Sequence, residues 1–301
     1  MGGLYLKCEN LQVTGAFKIR GAANMLAMLP AADRAAGLIT YSSGNHGQAM
    51  TCAAAHYGAR AVVVMPETAP AVKVEAVKRL GGEVIFAGRT SADRKTRAES
   101  EAAARGLTMV PPFDHPWIIA GAGTTGLEIL EQCPQVTRVF VPMGGGGQIA
   151  GVATAIKQMR SGVRIVGVEP VGAARMTASL AAGQPVTLPP MTLPPMTTPP
   201  MTLPPMTTPR TASIADGLLT LRPGDLTFAH VQQYVDDVVT VDEAEIVSGI
   251  RWLFGEAHLV AEPSGAASVA AALKAGGTRQ GVVAIVSGGN VDAAQYAGYL
   301  V

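Results

Sequence analysis

The sequence predicts an α/β fold with parallel β-sheets. Short apolar runs alternate with helix-like runs along almost the whole chain of 301 residues, and glycine-rich turns separate several of them. The apolar runs are rich in valine and isoleucine, as is typical of parallel strands that helices cover on both faces. Right-handed crossovers are the usual connection between such strands.

The stretch 38–115 predicts a small domain in which strands and helices alternate. Gly58 and Gly81 follow its first two helices, where glycine often ends a helix because it adopts the left-handed conformation without a Cβ clash. The predicted elements, beginning with a strand, are 38–41, 48–57, 61–65, 71–80, 83–87, 91–105 and 107–110.

The stretches 1–37 and 116–301 predict a larger domain of the same kind. A strand at 4–6 precedes a helix that starts near Lys18 and stops before Pro30. Later predicted helices are 124–133 and 148–159, and later predicted strands are 136–141, 163–168 and 282–286.

Within the larger domain, 187–210 is a proline-rich pentapeptide repeat. Proline lacks a backbone N–H and fixes φ, which excludes a helix or a central strand. We therefore predict an extended surface loop, inserted into the fold without disrupting it. A ligand for a proline-binding module is the alternative.

The composition excludes several classes of function. The net charge of +1 does not favour nucleic acid or an anionic membrane as a partner. The chain has no apolar run of membrane-spanning length and no signal-peptide pattern at its start. Cys8, Cys52 and Cys133 are too far apart for a metal site and are typical of reduced thiols, so we expect a cytoplasmic protein.

Lys18 lies at the predicted start of a helix, within the segment 14–21. The positive end of the helix dipole disfavours a cation there. That position and partial burial would lower the pKa of the lysine and leave a neutral amine, as a Schiff-base lysine requires. A surface lysine is the commoner interpretation of any single lysine.

Four glycines, Gly144 to Gly147, lie between a predicted strand and a predicted helix. Their backbone N–H groups can approach an anion closely, and the following helix adds the positive end of its dipole. This predicts a phosphate site, with a flexible turn as the alternative. Gly145, Gly147 and Ala150 also fit a dinucleotide fingerprint, with Glu169 at a suitable distance, so a nicotinamide dinucleotide stays open.

Two more polar turns follow predicted strands. Residues 42–48 read Ser-Ser-Gly-Asn-His-Gly-Gln at a helix start, which suits a carboxylate, although an ordinary N-cap turn is the alternative. Residues 287–290 read Ser-Gly-Gly-Asn at the end of a late strand, where ligands bind in α/β sheets.

Taken in this order, the motifs resemble those of threonine/serine dehydratases and serine racemases, which are pyridoxal-phosphate enzymes of fold type II. The resemblance runs from Leu4 to about Asp292. It implies two three-layer domains, pyridoxal 5'-phosphate in the cleft between them, an amino-acid substrate and a homodimer. The segments that carry it are 9–12, 15–22, 42–48, 144–147, 168–170, 214–217, 262–266 and 287–290.

The resemblance also implies roles for individual residues. For the cofactor, Lys18 is the Schiff-base lysine, Phe17 packs near the ring, Asn45 bonds the phenolic oxygen, Gly144, Gly145, Gly146 and Gly147 hold the phosphate, and Ser287 faces the pyridine nitrogen. For the substrate, Ser43, Gly44, Asn45 and His46 bind the carboxylate. In the racemase branch, the serine at the Ser43 position is also an acid/base on the face opposite the lysine.

The racemase branch binds a divalent cation, and here the chain departs from it. Glu169 and Ala173 match two of the ligands, but Arg175 stands where an aspartate would be. A guanidinium is unsuited to a cation held by oxygen ligands, so we predict no metal site.

The resemblance implies deamination of L-threonine, L-serine or both to a 2-oxo acid and ammonia. A serine racemase with dehydratase side activity is the alternative within the family. Outside it, a nicotinamide-dependent oxidoreductase and a non-catalytic small-molecule binder stay open. The binder is kept because the family normally has a helix and a strand ahead of the Glu9 region.

Overall fold

The computed structural model describes residues 3–188, 213–277 and 279–301. Apart from its first two residues, the proline-rich segment predicted at 187–210 therefore lies outside the described residues. Among the helices that the structure does describe, none is long and apolar enough to cross a membrane.

The described residues form nine strands and twelve α-helices. The strands are β1 (Tyr5–Cys8), β2 (Leu38–Tyr41), β3 (Ala61–Met65), β4 (Glu83–Phe86), β5 (Thr108–Met109), β6 (Arg138–Pro142), β7 (Arg164–Pro170), β8 (Asp237–Val241) and β9 (Val282–Val286). The helices are α1 (Lys18–Met28), α2 (Ala31–Ala36), α3 (Asn45–His56), α4 (Ala71–Arg79), α5 (Ser91–Arg105), α6 (Pro116–Gln132), α7 (Gly147–Met159), α8 (Arg175–Ala182), α9 (Asp225–Tyr234), α10 (Glu243–Gly255), α11 (Pro263–Lys274) and α12 (Ala293–Leu300).

The strands form two parallel sheets, which confirms the predicted fold class. The large sheet has five strands in the order β1-β9-β6-β7-β8, and the small sheet has four in the order β4-β3-β2-β5. All of the strand pairs in both sheets are parallel. The domain boundaries, with 38–115 as the small domain and 1–37 and 116–301 as the large one, stay a prediction.

Helices cover both faces of each sheet, as predicted for three-layer domains. In the small sheet, Val63 packs towards α1, α3 and α4, whereas its neighbours Val62 and Val64 pack towards α5. In the large sheet, Phe140 faces the cluster containing α10 and α11, and Val139 faces the cluster containing α7 and α9. The alternation explains why the strands are apolar at nearly every position.

Two helices begin earlier than the sequence predicts. The helix predicted at 124–133 begins at Pro116, and the helix predicted at 48–57 begins at Asn45. Gly121 and Gly123 in the first of these have low helix propensity, which hid its N-terminal half. Packing against α1 stabilises this half instead. A Cβ on Gly121 would lie 2.4 Å from the carbonyl oxygen of Arg20, which shows how closely the two helices approach.

Helix α1 is fixed by an ion-pair network at its first turn. Nε of Arg20 donates to Oε2 of Glu9 at 2.7 Å, and Nη1 of Arg20 donates to Oε1 of Glu128 at 2.7 Å. Nζ of Lys7 lies 2.5 Å from Oε2 of Glu128. Hydrogen bonds from Arg20 are the main reason that the pKa of Glu128 falls to about 2. The network ties α1 to α6 and sets the position of Lys18, two residues before Arg20.

Candidate active site

A cavity of about 560 Å³ lies where strand ends of the two sheets meet. Ser42 follows β2, Gly144 follows β6 and Ser287 follows β9, so the carboxyl ends of three strands open into it. Gly44 does not line the cavity. The predicted residues that do line it are Phe17, Lys18, Ser43, Asn45, His46, Gly144, Gly145, Gly146, Gly147 and Ser287.

Lys18 is the first residue of α1 and points its amine into the cavity. Nζ donates a hydrogen bond to the carbonyl oxygen of Pro112 at 2.7 Å and lies 5.0 Å from the centre of the Phe17 ring. Burial lowers the pKa of Lys18 to about 8. At pH 7 about one molecule in ten then carries the neutral amine. The predicted lowering is present, and burial is one of the two causes that the sequence analysis named for it.

The four glycines form a close turn between β6 and α7. Gly146 has a φ of 95°, in the left-handed region. A Cβ on Gly145 would lie 2.7 Å from the Phe113 ring, and a Cβ on Gly147 would lie 2.8 Å from Cβ of Phe113. Side chains are therefore excluded, and the N-terminus of α7 faces the cavity with free backbone N–H groups. These donors and the dipole of α7 fit a phosphate group.

The segment after β2 places a second helix N-terminus at the cavity. The backbone N–H of Gly44 donates to Oγ of Ser42 at 3.0 Å, and α3 starts at the next residue. Nε2 of His46 lies 3.3 Å from the carbonyl oxygen of Val110. Burial and the nearby charge of Lys18 lower the pKa of His46 to about 3, so the ring is neutral at pH 7. A carboxylate at this helix end would therefore be held by N–H and hydroxyl groups.

Asn45 has a fixed amide orientation. Its Nδ2 donates to Oε1 of Glu262, and its Oδ1 accepts from Nδ2 of Asn290 at 3.0 Å. Nδ2 of Asn290 also donates to the carbonyl oxygen of Thr14 at 2.8 Å. Asn290 thus joins three segments that the sequence analysis singled out separately.

Ser287 is buried beside the start of α1. Its hydroxyl donates to the carbonyl oxygen of Ser264 at 3.4 Å, a long and weak bond. Its own carbonyl oxygen accepts from the backbone N–H of Phe17 at 3.0 Å. The end of β9 and the start of the lysine helix therefore hold each other in place.

The residues at the racemase-type cation position do not fit a metal ion. Glu169 is fully buried, and its carboxylate accepts from the backbone N–H groups of Met176 and Thr177 at 2.8 and 2.9 Å. Nη1 of Arg175 donates to the carbonyl oxygen of Gly172 at 2.8 Å. The carboxylate thus caps α8, and a guanidinium stands where a cation would need a third oxygen ligand.

The sequence analysis missed several residues of the cavity. Pro112 and Phe113 contact Lys18 and the glycine turn, and they follow a strand, so the rule used for 287–290 would have found them. Lys73 also lines the cavity, together with Asp216. Lys73 lies in the first turn of α4, so the signal used for Lys18, a lysine near a helix start, would have drawn attention to it.

Several known proteins are similar to this chain over most of its length. A family model described as "Pyridoxal-phosphate dependent enzyme" matches residues 1–288. The chain is 40% identical over 267 residues to the biosynthetic L-threonine dehydratase of Pasteurella multocida, with 89% of this chain and 48% of that protein covered. It is 41% identical over 292 residues to the L-threonine ammonia-lyase of Thermotoga maritima, with 97% of this chain and 68% of that protein covered. The solved structure of maize serine racemase superposes with a TM-score of 0.86 at 37% identity, covering 98% of this chain and 85% of that one. The chain therefore spans about half the length of the first of these relatives.

Proposed function

The chain belongs to the family of pyridoxal-phosphate-dependent enzymes, and from this premise we propose that it deaminates L-threonine, L-serine or both to a 2-oxo acid and ammonia. The observation that carries the proposal is a lysine amine of lowered pKa in a cavity with two helix N-termini. One of these suits a phosphate and the other a carboxylate. The similarity to an L-threonine ammonia-lyase supports the reaction class.

The lining residues fit pyridoxal 5'-phosphate. Lys18 would hold it covalently, Phe17 would pack near the ring, and the turn 144–147 would bind the phosphate. Asn45 would donate to the phenolic oxygen, and Ser287 would face the pyridine nitrogen. When bound, the cofactor supplies a sink for the electron pair that stays on the substrate Cα after a base removes the proton.

The side chains of the protein would bind the substrate and move its proton. Lys18, with a pKa of about 8, can accept a proton from Cα near neutral pH. Ser43, Asn45 and His46 lie at the start of α3, where the substrate carboxylate would be held. Neutral His46 keeps that site free of a second cation. Gly44 could contact the carboxylate only through its backbone N–H, which here donates to Oγ of Ser42.

Serine racemisation is the second candidate. It requires acid/base groups on opposite faces of Cα, and Ser43 lines the same cavity as Lys18. The similarity to maize serine racemase favours it. The capping role of Glu169 and the presence of Arg175 weigh against the cation-dependent form. Family membership removes the nicotinamide-dependent alternative.

We further propose, on the resemblance and the thiol composition, a homodimer in the cytoplasm. Size-exclusion chromatography with light scattering tests the dimer, and a monomer at micromolar concentration would contradict it.

A product assay tests the function. The purified holoenzyme is incubated with L-threonine or L-serine, and 2-oxo acid release is followed beside chiral analysis of the remaining amino acid. We expect 2-oxo acid to exceed D-serine, with the same rate in the presence of a chelator. Dominant D-serine whose formation collapses in the chelator would establish the racemase instead, and no conversion of either amino acid would leave a non-catalytic binder.

A further inference from the structure

Three charged side chains beside the cavity have no part in the chemistry above. Lys73, Asp216 and Glu262 all line it. We propose that Lys73 is a positioning residue. Its ammonium group binds Glu262 and Asp216 on the other side of the cleft, and it so holds the amino-acid-binding segment 42–46 against that side. The inference rests on the proposed function, because it assigns Lys73 a part in binding the amino acid.

The three residues come from opposite sides of the cavity. Lys73 lies in α4, which packs in the small-sheet core, whereas Glu262 precedes α11, which packs on the large sheet. Asp216 begins a short 3-10 turn in contact with α11. Nζ of Lys73 lies 2.7 Å from Oδ2 of Asp216 and 3.2 Å from Oε2 of Glu262. One ammonium group therefore connects the two walls.

The side chain of Lys73 reaches the carboxylates by passing over Gly44. A Cβ on Gly44 would lie 2.3 Å from Cδ of Lys73 and 2.9 Å from its Cγ. A larger residue at position 44 would displace the lysine stem. Gly44 immediately precedes α3, between Ser43 and Asn45. Gly44 therefore matters although it does not line the cavity. It leaves room for the stem of Lys73, and the contact between the two residues couples Lys73 to the binding segment 42–46.

Glu262 connects the ammonium group to Asn45. Its Oε1 accepts from Nδ2 of Asn45, while its Oε2 faces Lys73. A Cβ on Gly288 would lie 2.4 Å from Oε1 of Glu262, so only glycine at position 288 lets the carboxylate approach the end of β9 this closely. The amide of Asn45 is therefore oriented by a carboxylate whose charge Lys73 balances.

Stability alone is a weak reason for this cluster. The side chains of Lys73 and Glu262 are 4% and 2% exposed. Burial raises the pKa of Glu262, because the ionised carboxylate loses its hydration when it leaves water. A buried ion pair is often no more stabilising than apolar residues of the same volume, whereas removal of one partner leaves an uncompensated charge. What the pair does supply is a defined distance between the two walls, whose sheets are separate in the part of the chain that the structure describes.

Four variants separate the charge from the packing. Lys73→Met keeps an unbranched stem over Gly44 and removes the charge, and Glu262→Gln keeps an acceptor for Asn45. The double variant Lys73→Met/Glu262→Gln leaves neither charge. Lys78→Met is the matched control, because Lys78 is an exposed lysine of the same helix, 54% exposed at its side chain.

Each protein is loaded with pyridoxal 5'-phosphate and titrated with L-threonine and L-serine, and the first change in the visible absorbance of the cofactor gives the dissociation constant. KM and kcat are measured in parallel. Unfolding of the four cofactor-free proteins and the parent gives a double-mutant cycle that is independent of activity.

We expect Lys73→Met to weaken amino-acid binding and raise KM at least about tenfold, with cofactor occupancy and kcat close to those of the parent. The loss in the double variant should be smaller than the sum of the single losses, in binding and in unfolding. Lys78→Met should match the parent.

Binding by Lys73→Met within about twofold of the parent, or strictly additive losses, would overturn the inference. Should Lys73→Met not fold, the double variant decides, because it leaves no lone buried charge. We expect the double variant to fold and to bind the amino acid at least about tenfold more weakly than the parent. If it binds the amino acid as tightly as the parent does, the positioning role of Lys73 is refuted. A parent that binds the amino acid without releasing a 2-oxo acid refutes the proposed function alone. A parent whose spectrum responds to neither amino acid overturns both.

Discussion

Replacement of Gly146 by alanine is a direct test of the glycine turn. A Cβ at this position would lie 2.8 Å from Cβ of Thr227 and 3.0 Å from Cε of Met176. The left-handed backbone, with φ of 95°, costs a residue with a Cβ about 1–2 kcal/mol. Moving Thr227 also weakens the bond that its Oγ1 donates to the carbonyl oxygen of Gly145 at 2.6 Å. That bond contributes about 1 kcal/mol, so we expect the free energy of unfolding to fall by about 2–3 kcal/mol.

Gly106 provides a matched control. It also has a left-handed φ, of 65°, but no heavy atom lies within 4 Å of the position of its Cβ. Gly106→Ala therefore has the backbone cost without the crowding, about 1–2 kcal/mol, and it lies far along the chain from the phosphate turn.

Two assays compare the variants. Denaturant unfolding of the cofactor-free proteins gives the stability loss, and absorbance titration with pyridoxal 5'-phosphate gives the cofactor dissociation constant. We expect Gly146→Ala to raise that constant at least about tenfold and Gly106→Ala to leave it unchanged. Equal stability losses, together with equal cofactor affinities, would refute the assignment of the turn to the phosphate.

Three further predictions follow from the site. Lys18→Ala should fold, yet lose turnover and the borohydride-trappable link to the cofactor; mass spectrometry that finds the cofactor on another lysine would contradict this role. Ser43→Ala should suppress any D-serine formation much more than 2-oxo acid formation, because it removes the proton donor on the second face; equal suppression in the chiral assay would argue against it. The pKa of His46 is about 3 against an ordinary 6.5, so on acidification the unfolded chain takes up a proton first, and the stability from this group is complete above about pH 6.5 and is lost as the pH falls towards 3. His46→Gln should therefore flatten the fall in unfolding free energy between about pH 6.5 and 4, and an unchanged slope in denaturant titrations would count against the assignment.

The sequence predicted those features that depend on local pattern. Strands such as β3 and β9 are runs rich in valine and isoleucine. The glycine turn must be glycine because of its own backbone and its contact with Phe113. Both can be recognised from a short window of residues. Lys18 was found because it stands beside such patterns, and the burial that lowers its pKa was one of the predicted causes.

The features that sequence reasoning missed depend on contacts between distant segments. The first half of α6 has weak local helix propensity and forms because Gly121 lets it pack on the backbone of α1. Lys73 meets Asp216 only after two sheets have been placed beside each other, and no spacing in the sequence encodes that encounter. The start of α3 at Asn45 likewise follows from what surrounds it rather than from capping, since Gly44 offers no side chain to cap the helix.

The pairing of β1 with β9 has a consequence for how the protein is made. Tyr5 pairs with Val283, so β1 can join the large sheet beside β9 only after β9 has been synthesised. The carbonyl oxygen of Ser287, just after β9, accepts a hydrogen bond from the backbone N–H of Phe17, next to Lys18. The small sheet, by contrast, is complete at Met109. During synthesis, which proceeds at about 5–20 residues per second, the small sheet can form with α1 packed on it while β1 still lacks its partner strand. The hydrogen bond between Phe17 and Ser287 can therefore form only after β9 has been made, so the start of the lysine helix is fixed later than the small sheet.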